Sequence, residues 1–197
     1  GSVGVIVVST LFLLLAGSAR WPLLAMLFSL IPLSSALLFA GSEIPKMETP
    51  QRVSGALAMM KDRGVWLCIL AIFLGGAAEC TMAQWCSSYL EKALLIPKFY
   101  GDIFGVALFS VMLGLGRSLY AKYGKDIGKV LVLGAVGASL CYLSAAIFNN
   151  PVIGLLACAF TGFCVSMMWP GSVLIASDKF ASSGGFIYAI MASGGDM

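Results

Sequence analysis

Long apolar runs alternate with short polar connections along this chain. A bilayer span needs about 20 predominantly apolar residues. Six such runs can be marked: Val3–Ala19, Trp21–Gly41, Val65–Leu90, Tyr100–Leu119, Val130–Phe148 and Val152–Ser177. A seventh begins at Gly185–Met197. Pro22 falls in the first turn of the second run, where a missing amide hydrogen is harmless, whereas Pro32 lies in mid-span and is expected to kink it. The pattern therefore predicts an all-α integral membrane protein, read as an internal piece of a longer polytopic chain.

The connections are unequal. Ser42–Gly64 is long and polar and carries Glu43, Lys46, Glu48, Arg52, Lys61, Asp62 and Arg63, while Leu94–Phe99, Tyr123–Gly128 and Asn149–Pro151 leave no room for a soluble domain. One long loop among short ones predicts two bundles of spans joined by a linker. Orientation follows from Lys and Arg, which concentrate on cytoplasmic loops. With Ser42–Gly64 inside, alternation puts nine basic residues on that side, including Arg117, Lys122, Lys125, Lys129 and Lys179, against three outside, Arg20, Lys92 and Lys98. The third run thus starts in the cytoplasm and ends outside. Trp21, Trp66, Tyr89, Tyr100 and Tyr120 near the run ends fit interfacial aromatic belts. Small residues at Gly101/Gly105, Gly134/Ala138 and Gly137/Cys141 allow close helix contact.

Composition agrees with the pattern. Hydrophobic residues make up 60% of the chain and charged residues 11%, against about 25% charged in a soluble domain. No basic run with interleaved aromatics points to nucleic acid. There is no His, and the six Cys all fall in apolar runs without a C-x-x-C pair, so no zinc site or other cofactor is implied. Rhomboid-like and H-E-x-x-H chemistries need His, and Ser193–Asp196 has Ser where an intramembrane aspartyl protease would have the first Gly of G-x-G-D. An enzyme is not expected. A channel would want a repeated filter segment or a charged ring, and neither is present.

The residues that stand out are polar groups at membrane depth. Glu79 lies near the middle of Val65–Leu90, where a charge costs roughly 2.5–3.5 kcal/mol or more. On a helix it shares a face with Ile72, Gly75, Gly76, Ala83, Cys86 and Leu90. Two roles are open to it: proton carrier, or structural carboxylate paired across the bundle with a basic residue or hydroxyl. Thr81, Gln84 and Ser88 fall on a different face, with Trp85 and Tyr89 nearby. Hydroxyls and an amide beside aromatic rings suit a sugar-like solute, and equally suit interhelical hydrogen bonds. In the sixth run, Trp169-Pro170-Gly171 interrupts the apolar sequence. Pro170 frees a backbone carbonyl, tolerated at depth only where protein or a cavity satisfies it. Thr161, Ser166 and Trp169 are candidates to line such a cavity.

The turn GLGRSLYAKYGKDIGK, residues 114–129, resembles the motif that the major facilitator superfamily carries after its second and eighth spans. Lys122, Gly124 and Lys125 match its later part, Gly116 lies one position from the expected Gly, and Ala121 stands where the family has Asp, so an Asp-dependent charge latch does not carry over. Gly116-Arg117 and the succession Glu79, Trp85, Tyr89-Leu90 are similar to the fucose-permease-like branch. The resemblance implies a major facilitator superfamily-like helical bundle: residues 1–41 as the last two spans of the N-terminal bundle, 42–64 as the cytoplasmic inter-bundle loop, and 65–197 as the C-terminal bundle, cut in its fifth helix. It also implies a secondary active transporter in the cell membrane. A small polar solute, a sugar or related metabolite, would cross by alternating access with protons as coupling ion. Glu79, Gln84, Trp85, Ser88, Thr161 and Trp169 would serve substrate or proton, and Arg117, Lys122, Gly124 and Lys125 a gating loop. Efflux of drug-like solutes by the same superfamily is the alternative.

Overall fold

The structure is a computed structural model and describes residues 21–42, 59–180 and 185–195. The expected first span, Val3–Ala19, and most of the long connection, including Glu43, Lys46, Glu48 and Arg52, lie outside these residues. The regular structure of the described residues is all helix, with no strand among them. In chain order the helices are α1 (Trp21–Ala40), α2 (Arg63–Lys92), α3 (Lys98–Tyr123), α4 (Ile127–Ile147), α5 (Pro151–Val165), α6 (Met168–Lys179) and α7 (Phe186–Gly195). Four stretches are long and apolar enough to cross a membrane: α2, α3, α4, and α5 continued by α6.

Polar residues in the connections set the helix starts. Asp62 accepts from the amide of Gly64 at 2.6 Å, Asp126 from that of Lys129 at 3.2 Å, and Asn150 from those of Val152 and Ile153 at 2.9 and 3.4 Å. Each side chain takes amide hydrogens that a first turn leaves without intrahelical partners. Pro151 follows Asn150 at the first helical position, where its fixed φ suits the helix. The spans consequently begin a few residues earlier than hydrophobicity alone marks. Pro32 lies inside the continuous helix α1.

The bundle is built around α5 and α2. α5 packs most extensively on α4 and α3, while α2 is held by α6, α7, α5 and the start of α3. Half of the apolar window of α5–α6 is buried against 6% of that of α4, which makes α4 peripheral. Small residues set these distances. A Cβ on Gly134 would collide with the carbonyl of Cys164, and one on Gly105 would sit 2.6 Å from Leu90 Cδ1. Two tyrosines tie helices together: Tyr89 Oη donates to the Ala145 carbonyl at 2.7 Å, and Tyr142 Oη to the Ala78 carbonyl at 2.8 Å. Tyr89, expected in an interfacial belt, thus uses its hydroxyl to tie helices within the bundle. The beginning of α3, Gly101–Ala107, winds as a π-helix.

The apolar core is in two parts. One gathers Met82, Cys86, Leu90, Phe109, Cys158 and Val165; the other gathers Ile72, Ala176, Ile187 and Met191. Along α2 the gap between them falls around Glu79.

Candidate functional site

Glu79 projects from the packed face of α2. Ile72, Gly75, Gly76, Cys86 and Leu90 on that face are all buried, and Ala83 is half-buried, as the helical spacing predicts. Gly75 and Gly76 leave room for the helix that follows the break: a Cβ on Gly75 would meet Met168 Cβ at 2.9 Å. Across from Glu79 stands Arg117 of α3. Its Nη2 lies 3.2 Å from both carboxylate oxygens, and its Nε donates at 2.9 Å to the backbone carbonyl of Ser166. The Glu79 side chain retains 24% of its exposure and Arg117 42%, so the pair is partly exposed rather than sealed in the core.

The acceptor at Ser166 follows from covalent structure. In an α-helix the carbonyl of residue 166 would receive the amide hydrogen of residue 170. Residue 170 is proline and has none. The helix breaks at Ser166-Met167, and α6 starts at Met168, so Pro170 falls in its first turn. Sequence reasoning puts the interruption at Trp169-Pro170-Gly171; it lies upstream, at the residue whose carbonyl Pro170 orphans. Gly114 to Ser118 of α3 pass close to this point, and a Cβ on Gly116 would collide with Ser166 Oγ. The glycine brings Arg117 within reach of the freed carbonyl. One guanidinium therefore joins three helical segments: α2 through a carboxylate, the end of α5 through a carbonyl, and α3 that carries it.

The other expected site residues fall in three places. Gln84 and Trp85 are exposed and Ser88 half-exposed on the face of α2 opposite Glu79, together with exposed Thr81. Among the described residues none hydrogen-bonds the side chains of Thr81, Gln84 or Ser88. Elsewhere in the bundle hydroxyls return to their own helix, as Ser110, Ser118, Ser139 and Ser172 do. Thr161 behaves like these: it is fully buried and donates to the Ala157 carbonyl at 2.7 Å. Trp169 wedges between α2 and α7, its indole against Gly76 and Gly195.

The family resemblance groups Arg117 with the turn residues Lys122, Gly124 and Lys125, but it lies apart from them, inside α3. Lys122 is in the last turn of α3, its ammonium 5.2 Å from the Tyr123 ring centre; Gly124 caps that helix, and Lys125 is exposed in the turn. Another contact not expected from sequence is Ser87 donating to Asp102, which fixes the π-helical start of α3 to α2. Among the described residues no group of three metal-ligating side chains gathers.

No protein-family model matches the chain, and no curated protein or solved structure matches it.

Proposed function

We propose that this chain belongs to a secondary active transporter that moves a small polar solute of sugar-like chemistry across the cell membrane by alternating access, coupled to protons. The observation that carries the reading is the Glu79–Arg117 pair joined to the broken helix. An ion pair at membrane depth costs desolvation that structure alone rarely repays, and intramembrane ionisable residues serve solute or proton pathways by default. A broken helix at mid-membrane is a recurrent device of transporters, where segments on either side of the break move against each other around the site.

The mechanism follows from what each group can do. With Glu79 ionised, Arg117 is neutralised and holds α2, α3 and the α5–α6 break together. Protonation of Glu79 removes the charge that Arg117 faces and reduces the ion pair to a neutral hydrogen bond, and the two core clusters are then freer to shift about the break. Thr81, Gln84 and Ser88, unpartnered among the described residues and flanked by Trp85, supply donors, acceptors and a ring to the solute on the opposite face of α2. Protonation is thus transmitted to the solute face through the helix that carries both. Lys122, Gly124 and Lys125 act at the cytoplasmic turn, where the resemblance to the major facilitator superfamily assigns gating.

Uptake into proteoliposomes of the full-length protein, measured against a panel of sugars and of cationic dyes with and without an imposed pH gradient, tests this reading. Proton-driven accumulation of a sugar supports it. Expulsion of dyes with no sugar movement establishes the efflux alternative instead.

A further inference from the structure

A second feature adjoins the helix break on the side of α3 and α4. Between α3 and α4, with α5 as its floor, runs a groove of about 350 Å³ walled by Leu119, Tyr120, Tyr123, Leu133, Phe163 and Met167. That volume falls in the range of roughly 300–1,000 Å³ typical of ligand clefts. Its lining is almost wholly apolar, and Tyr123 and Leu133 are largely exposed along it. The groove ends at the turn between α3 and α4, and each lysine there adjoins a lining residue. Lys122 precedes Tyr123 and lies over its ring, Lys125 follows Gly124, and Lys129 precedes Val130. Asp126 is the only acid in this turn, and it is taken by Lys129 at 3.1 Å and by the cap of α4. Among the described residues no carboxylate pairs with Lys122 or Lys125.

An apolar trough along a membrane-length helix pair, with uncompensated cations and tyrosines at one end only, has the polarity of a phospholipid. We propose that this groove binds one anionic phospholipid of the cytoplasmic leaflet, acyl chain along Leu119, Leu133 and Phe163 and phosphate between Lys122 and Lys125. Charge complementarity selects the anionic headgroup, since basic residues near an anionic leaflet attract it and the attraction falls within a Debye length. A soluble anion would leave the trough unfilled, and a zwitterionic lipid would bring a headgroup cation of its own beside the lysines. Ser166 and Met167 lie in the wall, so the bound chain also touches the helix break. The site depends on the chain crossing a membrane but not on the transport reading.

The test is native mass spectrometry of the full-length protein released from detergent containing phosphatidylglycerol and phosphatidylcholine in equal amounts. The expected result is retention of one phosphatidylglycerol in preference to phosphatidylcholine. Retention should fall roughly fivefold for Lys125→Gln and roughly twenty-fivefold for Lys122→Gln/Lys125→Gln. Leu119→Trp, which occupies the trough without altering charge, should release the lipid as well, and inorganic phosphate should not compete. Equal retention of the two lipids, retention unchanged in the double variant, or displacement by inorganic phosphate would each overturn the proposal. A second copy of the chain filling the groove would register as a dimer mass without lipid, and would overturn it too. Because both lysines are solvent-exposed, their variants are expected to fold.

Discussion

At the scale of single residues, Glu79 and Arg117 are each answerable to the other. Glu79→Gln removes the ion pair but keeps the shape, leaving the guanidinium with neutral carbonyl acceptors only. Charged hydrogen bonds contribute about 1.5–3 kcal/mol when buried, and this pair is partly exposed, so a loss of about 1–2 kcal/mol in stability is expected, read as an earlier thermal unfolding midpoint in detergent. Arg117→Gln should cost more, because it removes the Ser166 contact and leaves a carboxylate at depth. The exchanged double variant Glu79→Arg/Arg117→Glu restores the pair but not the bond to Ser166, and its midpoint should fall between those of wild type and Arg117→Gln. On the opposite face, Gln84→Ala and Trp85→Ala change exposed side chains. They should leave the unfolding midpoint within about 0.5 kcal/mol of wild type while weakening solute binding by roughly tenfold, measured by isothermal titration. A large stability loss from either would show that this face is packed rather than open to solute.

Among elements, the break between α5 and α6 is the one whose behaviour can be varied by a single atom. Pro170→Ala returns an amide hydrogen that competes with Arg117 for the Ser166 carbonyl. Since proline in a first helical turn is harmless, stability should change by less than about 1 kcal/mol. Solute affinity should hold, while the transport rate falls because the segments become one continuous helix. Unchanged turnover in Pro170→Ala would show that the break serves packing alone. Gly134→Val, by contrast, presses a side chain into the Cys164 carbonyl and should cost about 1–3 kcal/mol through overpacking between α4 and α5.

For the whole molecule, what could be read in advance divides along a physical line. Apolar runs mark spans because lipid tolerates little else, whereas the helix starts at Asp62, Asp126 and Asn150, where unpaired amides need acceptors, are placed a few residues late by hydrophobicity alone. These signals are local. The packed face of α2 was also legible, since Ile72, Gly76, Cys86 and Leu90 repeat at helical spacing. The meeting of Glu79 with Arg117 was not, because it spans 38 residues and depends on the register of two antiparallel helices. Nor was the position of the break: Pro170 announces a lost hydrogen bond, but the chain opens at the acceptor, Ser166, where Gly116 lets α3 approach. Thr161 misled for a similar reason, since a hydroxyl at depth signals a cavity only if its own helix does not satisfy it.

The central claim is that Glu79 couples protons to solute movement through Arg117 and the helix break. Its most direct measurement is solute-driven proton movement in proteoliposomes of the full-length protein, followed with a pH-sensitive dye, in wild type and Glu79→Gln. The account predicts that adding the transported sugar alkalinises the medium with wild type, whereas Glu79→Gln binds the sugar but produces no proton movement. Proton movement of equal size in Glu79→Gln would contradict it.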